Sequence, residues 1–282
     1  MARVVVTFAA DGAERARVED ALEGHDVLFL ADGATVEWEA VDALLVFSFR
    51  DVPDEAFGRL RRLAVVQTMT AGTDHVPRAR LPAGVAVHGA AGENADAVAE
   101  HALALLLAAA KRVVPRTRAM RAGRFEQTDD TLVLSDATVV VLGTGHVGRA
   151  VARRLRPFGC RLVGINRSGT KTPGFDQTLQ VAGLDEAFGA CDVLVVALPL
   201  TPQTAGLVDA RRLALLRPHA VIVNVARGGI VDEDALLDHL RRRPGSAAAL
   251  DVWWAYPDKA TGEWRPPCRR GTRATSRPRA AS

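Results

Sequence analysis

The chain has 282 residues, which is room for one large domain or two ordinary ones. Hydrophobic residues make up 48% and charged residues 24%, the balance of a globular protein with a sizeable core. The net charge of +3 comes from the end of the chain, because residues 265–282 contain six arginines and no acidic residue, leaving 30 basic against 33 acidic residues elsewhere. The basic balance therefore gives no reason to expect that the protein binds nucleic acid.

The cysteines and the apolar runs argue against two further classes of protein. Cys160, Cys191 and Cys268 have neither metal-ligand spacing nor the even number of a disulfide framework. We therefore expect reduced thiols, no metal site and a cytoplasmic location. The longest apolar run, Ala102–Ala110, is about half the length of a membrane span, so no membrane partner is predicted.

Short apolar runs alternate with helical patterns through the first third of the chain. This alternation predicts βαβ units, and hence a parallel sheet covered by helices on both faces. The predicted strands are Val4–Phe8, Val27–Leu30, Ala43–Phe47 and Ala64–Gln67, and the predicted helices are Ala13–Leu22 and Asp54–Arg62.

A long helix is predicted from Ala95 to Val114, ended by Pro115, and a second alternating series follows it. The sequence therefore predicts an α/β protein with two doubly wound parallel-sheet domains, at residues 1–94 and 95–264. Residues 265–282 lack apolar periodicity and are predicted to be a disordered basic tail. In the second series, the predicted strands are Thr138–Leu142, Leu162–Ile165, Val193–Ala197, Val221–Val225 and Ala248–Val252, with a helical stretch at Asp234–Arg241.

A glycine motif directly follows the first strand of the second series. Residues 143–148 have the spacing G-x-G-x-x-G and lead into a helical pattern. The first glycine would allow a tight turn, the second would let a pyrophosphate approach the backbone, and the third would let helix and strand pack closely. Together with the free N–H groups of the helix N-terminus, the motif predicts a Rossmann dinucleotide-binding domain; the alternative is a merely structural turn. The predicted cofactor-binding residues here are Gly143, Gly145, His146, Val147 and Gly148.

The end of the next strand bears on the choice of cofactor. Asn166 stands where an NAD site usually has an acidic residue for the ribose hydroxyls, and Arg167 and Ser168 follow it. No carboxylate would repel a 2′-phosphate, while a guanidinium and a hydroxyl would bind one. The sequence therefore favours NADP(H), with NAD(H) possible; the alternative for Arg167 is a solvated loop arginine.

Several stretches together resemble the D-2-hydroxyacid dehydrogenases, a family that includes glycerate, phosphoglycerate, formate and phosphite dehydrogenases. The resemblance covers about residues 40–257, and its motifs are highly specific in combination. They are Thr70–His75, Val98–His101, Asp192–Leu194, Leu198–Thr204, Asn224–Asp232 with Ala235-Leu236, and Ala249–Trp253.

The resemblance implies a fold, a reaction and an assembly. It implies a split, flavodoxin-like substrate domain, an inserted Rossmann cofactor domain, a cleft between them, and a dimer formed around the cofactor domains. The reaction is reversible hydride transfer between a nicotinamide cofactor and a 2-hydroxy or 2-keto acid. Thr204, Val225 and Ala226 lie in stretches that border the cofactor in this family.

The resemblance also assigns roles to individual residues. Arg227 matches the catalytic arginine, whose planar fork suits a carboxylate and an adjacent keto oxygen, and Asp251 matches the residue that hydrogen-bonds the nicotinamide carboxamide. Ala71 and Gly72 match the loop whose N–H groups bind the substrate carboxylate. The alternatives are that Arg227 is a surface arginine, that Asp251 only caps the end of its strand, and that Ala71 and Gly72 form an ordinary turn.

The chain departs from the family at its acid–base pair. Tyr256 occupies the position of the glutamate that orients the catalytic histidine, and no histidine follows His239. The abrupt change of composition after Trp264 predicts a reading-frame shift or a truncation, with a functional basic tail as the alternative. Without the family's final helix, we expect exposed apolar surface and a stability defect in the first domain.

Four other histidines are candidates to replace the missing one. His75 and His88 lie in or near the substrate-domain loops, His101 begins the long helix, and His146 lies in the glycine motif. For each, a surface or packing role is the ordinary interpretation.

Three functions remain open on the sequence alone. The first is an NADP(H)-dependent 2-hydroxyacid dehydrogenase or 2-ketoacid reductase, impaired by loss of the histidine. The second is a catalytically dead nucleotide-binding protein that acts as a sensor or a partner-binding module. A formate- or phosphite-dehydrogenase-like activity is the third, and nothing positive in the sequence selects it.

Overall fold

A computed structural model of the chain describes residues 1–127 and 131–256. The predicted tail at 265–282, and its predicted disorder, lie outside these residues. The described chain divides into two compact units, and the boundary in the sequence lies between Ala95 and Asp96.

The first unit is built on a five-stranded parallel sheet in the order β2-β1-β3-β4-β5. This is the strand order of flavodoxin-like doubly wound folds, which confirms the predicted fold class for this part of the chain. A helix, α1, spans Gly12–Ala21; it begins with a capping box between Asp11 and Glu14. The strands are β1 (Arg3–Val6), β2 (Asp26–Phe29), β3 (Ala43–Val46), β4 (Val65–Thr68) and β5 (Ala86–His88).

The predicted helix at Asp54–Arg62 is wrong. Asp54–Ala56 forms a single 3₁₀ turn, and turns continue to the next strand. The spacing of the apolar residues nevertheless indicates which side chains are buried, since Ala56, Leu60 and Leu63 are in the core. Gly58 weakens helical propensity in the middle of the stretch, and irregular chain packs these side chains on the sheet instead.

The two faces of the first sheet are covered unequally. Leu44, Val46 and Val66 are fully buried, whereas Leu45 and Val65, which point to the opposite face, are only half-buried. Helix α1 contains no buried residue. Val4 and Val6 of β1, which point to the same face as Leu45, are nevertheless buried, so the centre of the sheet is covered on both faces.

The second unit is built on a six-stranded parallel sheet in the order β11-β10-β9-β6-β7-β8. Numbered within the unit and read from β8, this is the order 3-2-1-4-5-6 of the dinucleotide-binding Rossmann fold. Its strands are β6 (Thr138–Leu142), β7 (Arg161–Asn166), β8 (Gln177–Gln180), β9 (Val193–Val196), β10 (Val221–Asn224) and β11 (Ala247–Leu250). Its helices are α2 (Ala95–Ala110), α3 (Val113–Arg121), α4 (His146–Leu155), α5 (Leu184–Gly189), α6 (Ala210–Leu215) and α7 (Glu233–Arg242).

The prediction that Pro115 ends the long helix is wrong, because Pro115 lies in the first turn of the next helix. The long helix ends at Ala110, and Arg112 adopts a left-handed conformation with φ of 53° that redirects the chain. Pro115 is the third residue of α3, in the first turn, where its missing N–H has no intrahelical partner to lose. The single helix predicted for Ala95–Val114 is therefore two helices, separated at Arg112.

An aspartate fastens the amino end of a neighbouring strand at three places. Each aspartate lies directly before a strand, and its carboxylate accepts a backbone N–H of the adjacent strand. These N–H bonds are the main reason that the pKa values of Asp42 and Asp176 lie below the ordinary value. The pairs are Asp42 with Arg3, Asp176 with Leu162, and Asp192 with Thr138, all at 2.8 Å.

No helix among the described residues has both the length and the hydropathy needed to span a bilayer. Within the same residues, no three His, Cys, Asp or Glu side chains are grouped so that they could hold a metal ion.

Candidate functional site

Strand register brings most of the predicted cofactor residues to one edge of the second sheet. Across five adjacent strands, the residues paired in register are Ile165, Leu142, Val196, Asn224 and Leu250. The next residues along each strand are Asn166, Gly143, Ala197, Val225 and Asp251, all at the carboxyl edge. The strand order reverses between β6 and β9, and doubly wound folds bind ligands at that switch point.

Two glycines of the motif are required by packing. Gly143 has φ of 99°, and a Cβ there would lie 2.6 Å from the carbonyl oxygen of Ala197. A Cβ on Gly148 would lie 1.9 Å from the carbonyl oxygen of Gly143. Neither position tolerates a side chain, because in both cases the obstructing atom belongs to the backbone.

Gly145 differs, because nothing lies within 4 Å of the place its Cβ would occupy. It is the N-cap of α4, and it supplies no side-chain cap to the N–H groups that begin the helix. An exposed His146 and a half-buried Val147 form the first helical positions. This open, uncapped helix N-terminus fits an anionic diester, which its N–H groups and dipole would attract.

Asn166 organises the turn after β7 rather than facing solvent freely. Its Nδ2 donates to Thr144 Oγ1 at 3.2 Å, to Thr172 Oγ1 at 3.3 Å and to the carbonyl oxygen of Thr170 at 3.0 Å. Its Oδ1 accepts the Gly169 N–H at 2.6 Å. Thr144 and Thr172 were not predicted as site residues; their hydroxyls tie the glycine motif to this turn.

The cationic side of the turn is open to solvent. Arg167 and Ser168 are both exposed, and Ser168 Oγ donates to Thr170 Oγ1 at 2.7 Å. Lys171 is exposed on the same turn. These groups could meet a phosphate on a ribose held beside Asn166.

Asn224, which sequence reasoning did not select as a site residue, connects the two loops that hold Arg227 and Asp251. The side chain is fully buried; its Nδ2 donates to the Arg227 carbonyl and its Oδ1 accepts the Ala226 N–H, both at 3.0 Å. Its own carbonyl accepts the Asp251 N–H at 3.0 Å. A buried asparagine directly after a strand, before a loop of candidate residues, is the signal that could have found it.

The loops after β10 and β11 are packed against one another. A Cβ on Gly228 would lie 2.4 Å from the backbone of Trp253, and Trp254 Nε1 donates to the Val231 carbonyl at 2.6 Å. Tyr256 is exposed, and its hydroxyl oxygen accepts the Trp253 N–H at 3.3 Å. Tyr256 thus closes its own loop, at the position where the family pattern has a glutamate.

The remaining predicted residues on this edge are held by local bonds. Arg227 is half-buried, and its guanidinium donates to the Ala226 carbonyl at 2.9 Å. Thr204 Oγ1 accepts the Thr201 N–H and donates to the Pro199 carbonyl, each at 2.7 Å, so it shapes the loop after β9. Asp251 is half-exposed, and its Oδ1 lies 3.2 Å from His101 Nε2 on α2.

Ala71 and Gly72 lie in the first unit, in the turn that follows β4. Ala71 is exposed and Gly72 is half-buried. The turn is held by Thr70 Oγ1, which donates to the Gly72 carbonyl at 2.8 Å. His75 and His88 are exposed in the same unit.

A cavity of about 790 Å³ lies elsewhere in the second unit. It is bordered by the starts of strands, at Val221 and Ala247, and by Leu105 and Ala109 of α2. It therefore lies at the amino edge of the sheet, opposite the glycine motif, and is not the predicted cofactor site.

Residues 103–269 match the sequence model of the family described as D-isomer specific 2-hydroxyacid dehydrogenase, NAD binding domain. The D-3-phosphoglycerate dehydrogenase of Mycobacterium leprae (strain TN) is 33% identical over 255 residues, which cover 85% of this chain and 48% of that protein. The chain thus spans about half the length of this relative.

Two solved structures resemble the chain along most of its length. The D-isomer specific 2-hydroxyacid dehydrogenase of Xanthobacter autotrophicus Py2, in complex with NADPH and MES, is 32% identical with a TM-score of 0.78, covering 91% of this chain and 82% of that one. The NADPH-dependent glyoxylate/hydroxypyruvate reductase of Sinorhizobium meliloti, in complex with NADP and sulfate, is 28% identical with a TM-score of 0.79, covering 95% and 86%.

Proposed function

Since the chain belongs to the D-isomer specific 2-hydroxyacid dehydrogenase family, we propose that it is an oxidoreductase acting on a 2-hydroxy or 2-keto acid. The nicotinamide cofactor, when bound, supplies or accepts the hydride. The observation that carries the proposal is the carboxyl edge of the second sheet, where an open helix N-terminus, Arg227 and Asp251 follow neighbouring parallel strands.

The glycine motif would hold the cofactor's pyrophosphate at the N-terminus of α4. Gly145 leaves room for it, while Gly143 and Gly148 keep the turn close to the sheet. We propose a preference for NADPH over NADH, because Arg167 and Ser168 are exposed beside Asn166 and no carboxylate stands there to repel a 2′-phosphate. The two solved relatives above, which hold NADPH or NADP, support this preference.

Arg227 would bind the substrate carboxylate and polarise the adjacent oxygen with its planar guanidinium. Asn224 supports this role by fixing the Arg227 carbonyl and hence the loop. Asp251 would accept the N–H of the nicotinamide carboxamide. Residues 1–94 would form the substrate domain, with the N–H groups at Ala71 and Gly72 binding the substrate, and residues 95–264 the cofactor domain.

The sequence lacks the family's proton donor for the proposed reaction. The sequence has no histidine after His239, and Tyr256 carries no negative charge to orient an imidazole. General acid–base catalysis contributes about 10²–10⁴-fold to rate, so we expect turnover reduced by a factor of that order while cofactor binding is retained.

The deciding experiment is a fluorescence titration of the purified chain with NADPH and NADH, beside turnover assays with glyoxylate and hydroxypyruvate. We expect saturable binding of both cofactors, tighter for NADPH, and slow but measurable reduction of one of these 2-keto acids. Failure of a folded chain to bind either cofactor would refute the proposal.

The variant Arg227→Lys keeps the charge and loses the planar fork. We expect its turnover to fall on the order of 100-fold, the size of losing one aligned electrostatic contact, with cofactor affinity unchanged. Arg241→Lys, at an exposed arginine paired with Asp238 on α7, is the matched control. Equal turnover in the Arg227→Lys variant and the parent would exclude Arg227 from the reaction.

A further inference from the structure

His101 and Asp251 approach one another at the carboxyl edge of the second sheet. His101 lies in the first half of α2, and Asp251 follows β11 directly. Their Nε2 and Oδ1 atoms are 3.2 Å apart, and the two side chains are 52% and 47% exposed. Within the described part of the chain, this is the histidine that lies within ion-pair distance of a carboxylate.

A hydrogen bond to the neighbouring strand holds the backbone of Asp251, whereas its side chain contacts His101 on α2. The Asp251 N–H is bonded to the carbonyl of Asn224, which anchors the residue at the end of β10. The half-exposed carboxylate would otherwise rotate about χ1 and χ2 toward solvent. The contact with His101 involves Oδ1 and leaves Oδ2 available to a ligand.

In the contact between His101 and Asp251, the imidazole is the donor and the carboxylate is the acceptor. A carboxylate only accepts hydrogen bonds, so an attractive contact requires a hydrogen on Nε2 of His101, in the neutral or the protonated ring. A carboxylate oxygen has more than one lone pair, so Asp251 can accept an amide N–H while Oδ1 contacts His101.

We propose that His101 is a positioning residue that orients the carboxylate of Asp251 toward the carboxamide of the nicotinamide. This inference rests on the function proposed above. It gives His101 a role in holding the cofactor's nicotinamide half, rather than in proton transfer to the substrate, because its Nε2 lies 3.2 Å from the Asp251 carboxylate.

The test compares dinucleotides with analogues that lack the nicotinamide. We expect His101→Ala to weaken NADPH and NADH binding by about tenfold, the size of one net hydrogen bond, in a fluorescence titration. Affinity for 2′-phospho-ADP-ribose and ADP-ribose, measured by calorimetry, should not change. His101→Gln, which restores an N–H donor, should recover most of the loss, and His25→Gln, at an exposed histidine of the first unit, should have no effect.

A double-mutant cycle supplies the second measurement. Asp251→Ala should weaken NADPH binding at least as much as His101→Ala, and adding His101→Ala to it should cause no further loss. Additive losses, equal losses for the analogues without nicotinamide, or unchanged NADPH affinity in His101→Ala would each overturn the role of His101. Absence of dinucleotide binding to the folded parent chain would instead refute the proposed function together with this inference.

Discussion

His239, the last histidine of the sequence, is a buried residue on α7. It is 7% exposed, and its Nε2 has no hydrogen-bond partner among the described residues. Burial first, and then the nearby charge of Arg243, lower the pKa of His239 below its ordinary value of 6.5. Burial and the lowered pKa of His239 both favour the neutral ring in the folded state.

This lowered pKa predicts a dependence of stability on pH. Because the unfolded chain takes up the proton at a higher pH than the folded chain, the free energy of unfolding should be greatest above pH 6.5 and fall as the pH drops through the folded pKa. In His239→Leu this component is absent. We therefore expect a smaller loss of stability between pH 8 and pH 5 than in the parent, measured by urea unfolding at each pH.

The same urea measurements on His25→Gln provide the control, since that side chain is exposed. If His239→Leu and the parent lost equal stability between the two pH values, the buried ring would not be the cause.

At the scale of elements, the strand–turn–helix from β6 to α4 combines two separable requirements. Gly143 and Gly148 are demanded by the packing of the turn on the sheet, whereas the Cβ of a residue at 145 would meet only open space. Gly145 also has φ of −74°, which any residue adopts. The packing of the turn therefore requires two glycines of the motif, and we propose that the third leaves room for the ligand.

Alanine substitutions should separate these two roles. Gly145→Ala should leave thermal stability within about 0.5 kcal/mol of the parent, because nothing is displaced, and weaken NADPH binding at least tenfold by obstructing the approach of the pyrophosphate. Gly148→Ala should destabilise the chain by about 1–3 kcal/mol, because its Cβ would collide with the Gly143 carbonyl. Thermal unfolding with and without NADPH distinguishes the outcomes, and full NADPH affinity in Gly145→Ala would contradict the assignment.

At the scale of the whole molecule, apolar side chains are exposed along α3 and the chain after it. Val113 and Met120 are seven residues apart and share a face of the helix, and Phe125 is 75% exposed. Val114 of the same helix and Val133 of the same unit are also about half exposed. We propose that a second copy of the chain covers this surface, as the family resemblance implies for the cofactor domain.

Light scattering coupled to size-exclusion chromatography should then give about twice the chain mass of 30.1 kDa. Phe125→Glu combined with Met120→Glu should weaken the dimer at least about 30-fold, since buried interface anchors contribute about 2 kcal/mol or more. Val181→Glu places the same charge at an exposed apolar residue elsewhere in the unit and should leave the mass unchanged. A monomeric parent chain would refute the proposed dimer.

Most strands could be predicted because a buried parallel strand is a short, nearly continuous apolar run. The prediction was exact for β6 and within two residues for the other predicted strands. Two short strands, β5 and β8, were missed, since Ala86–His88 and Gln177–Gln180 are edge strands with no fully buried residue and no apolar run. Helical periodicity failed at residues 54–62, because spacing reports which side chains are buried and not whether the backbone between them is helical.

The sequence by itself determined the family, the two sheet-based units and the glycine turn, because these depend on local runs and spacings of a few residues. Only the tertiary structure decided that Asn224 joins the loops of Arg227 and Asp251, that Thr144 and Thr172 support Asn166, and that His101 faces Asp251. The contacts of Asn224 with Asp251, of Thr144 with Asn166 and of His101 with Asp251 join residues far apart in the chain. They are fixed by strand register and helix packing, which place distant side chains together without leaving a pattern in the sequence between them.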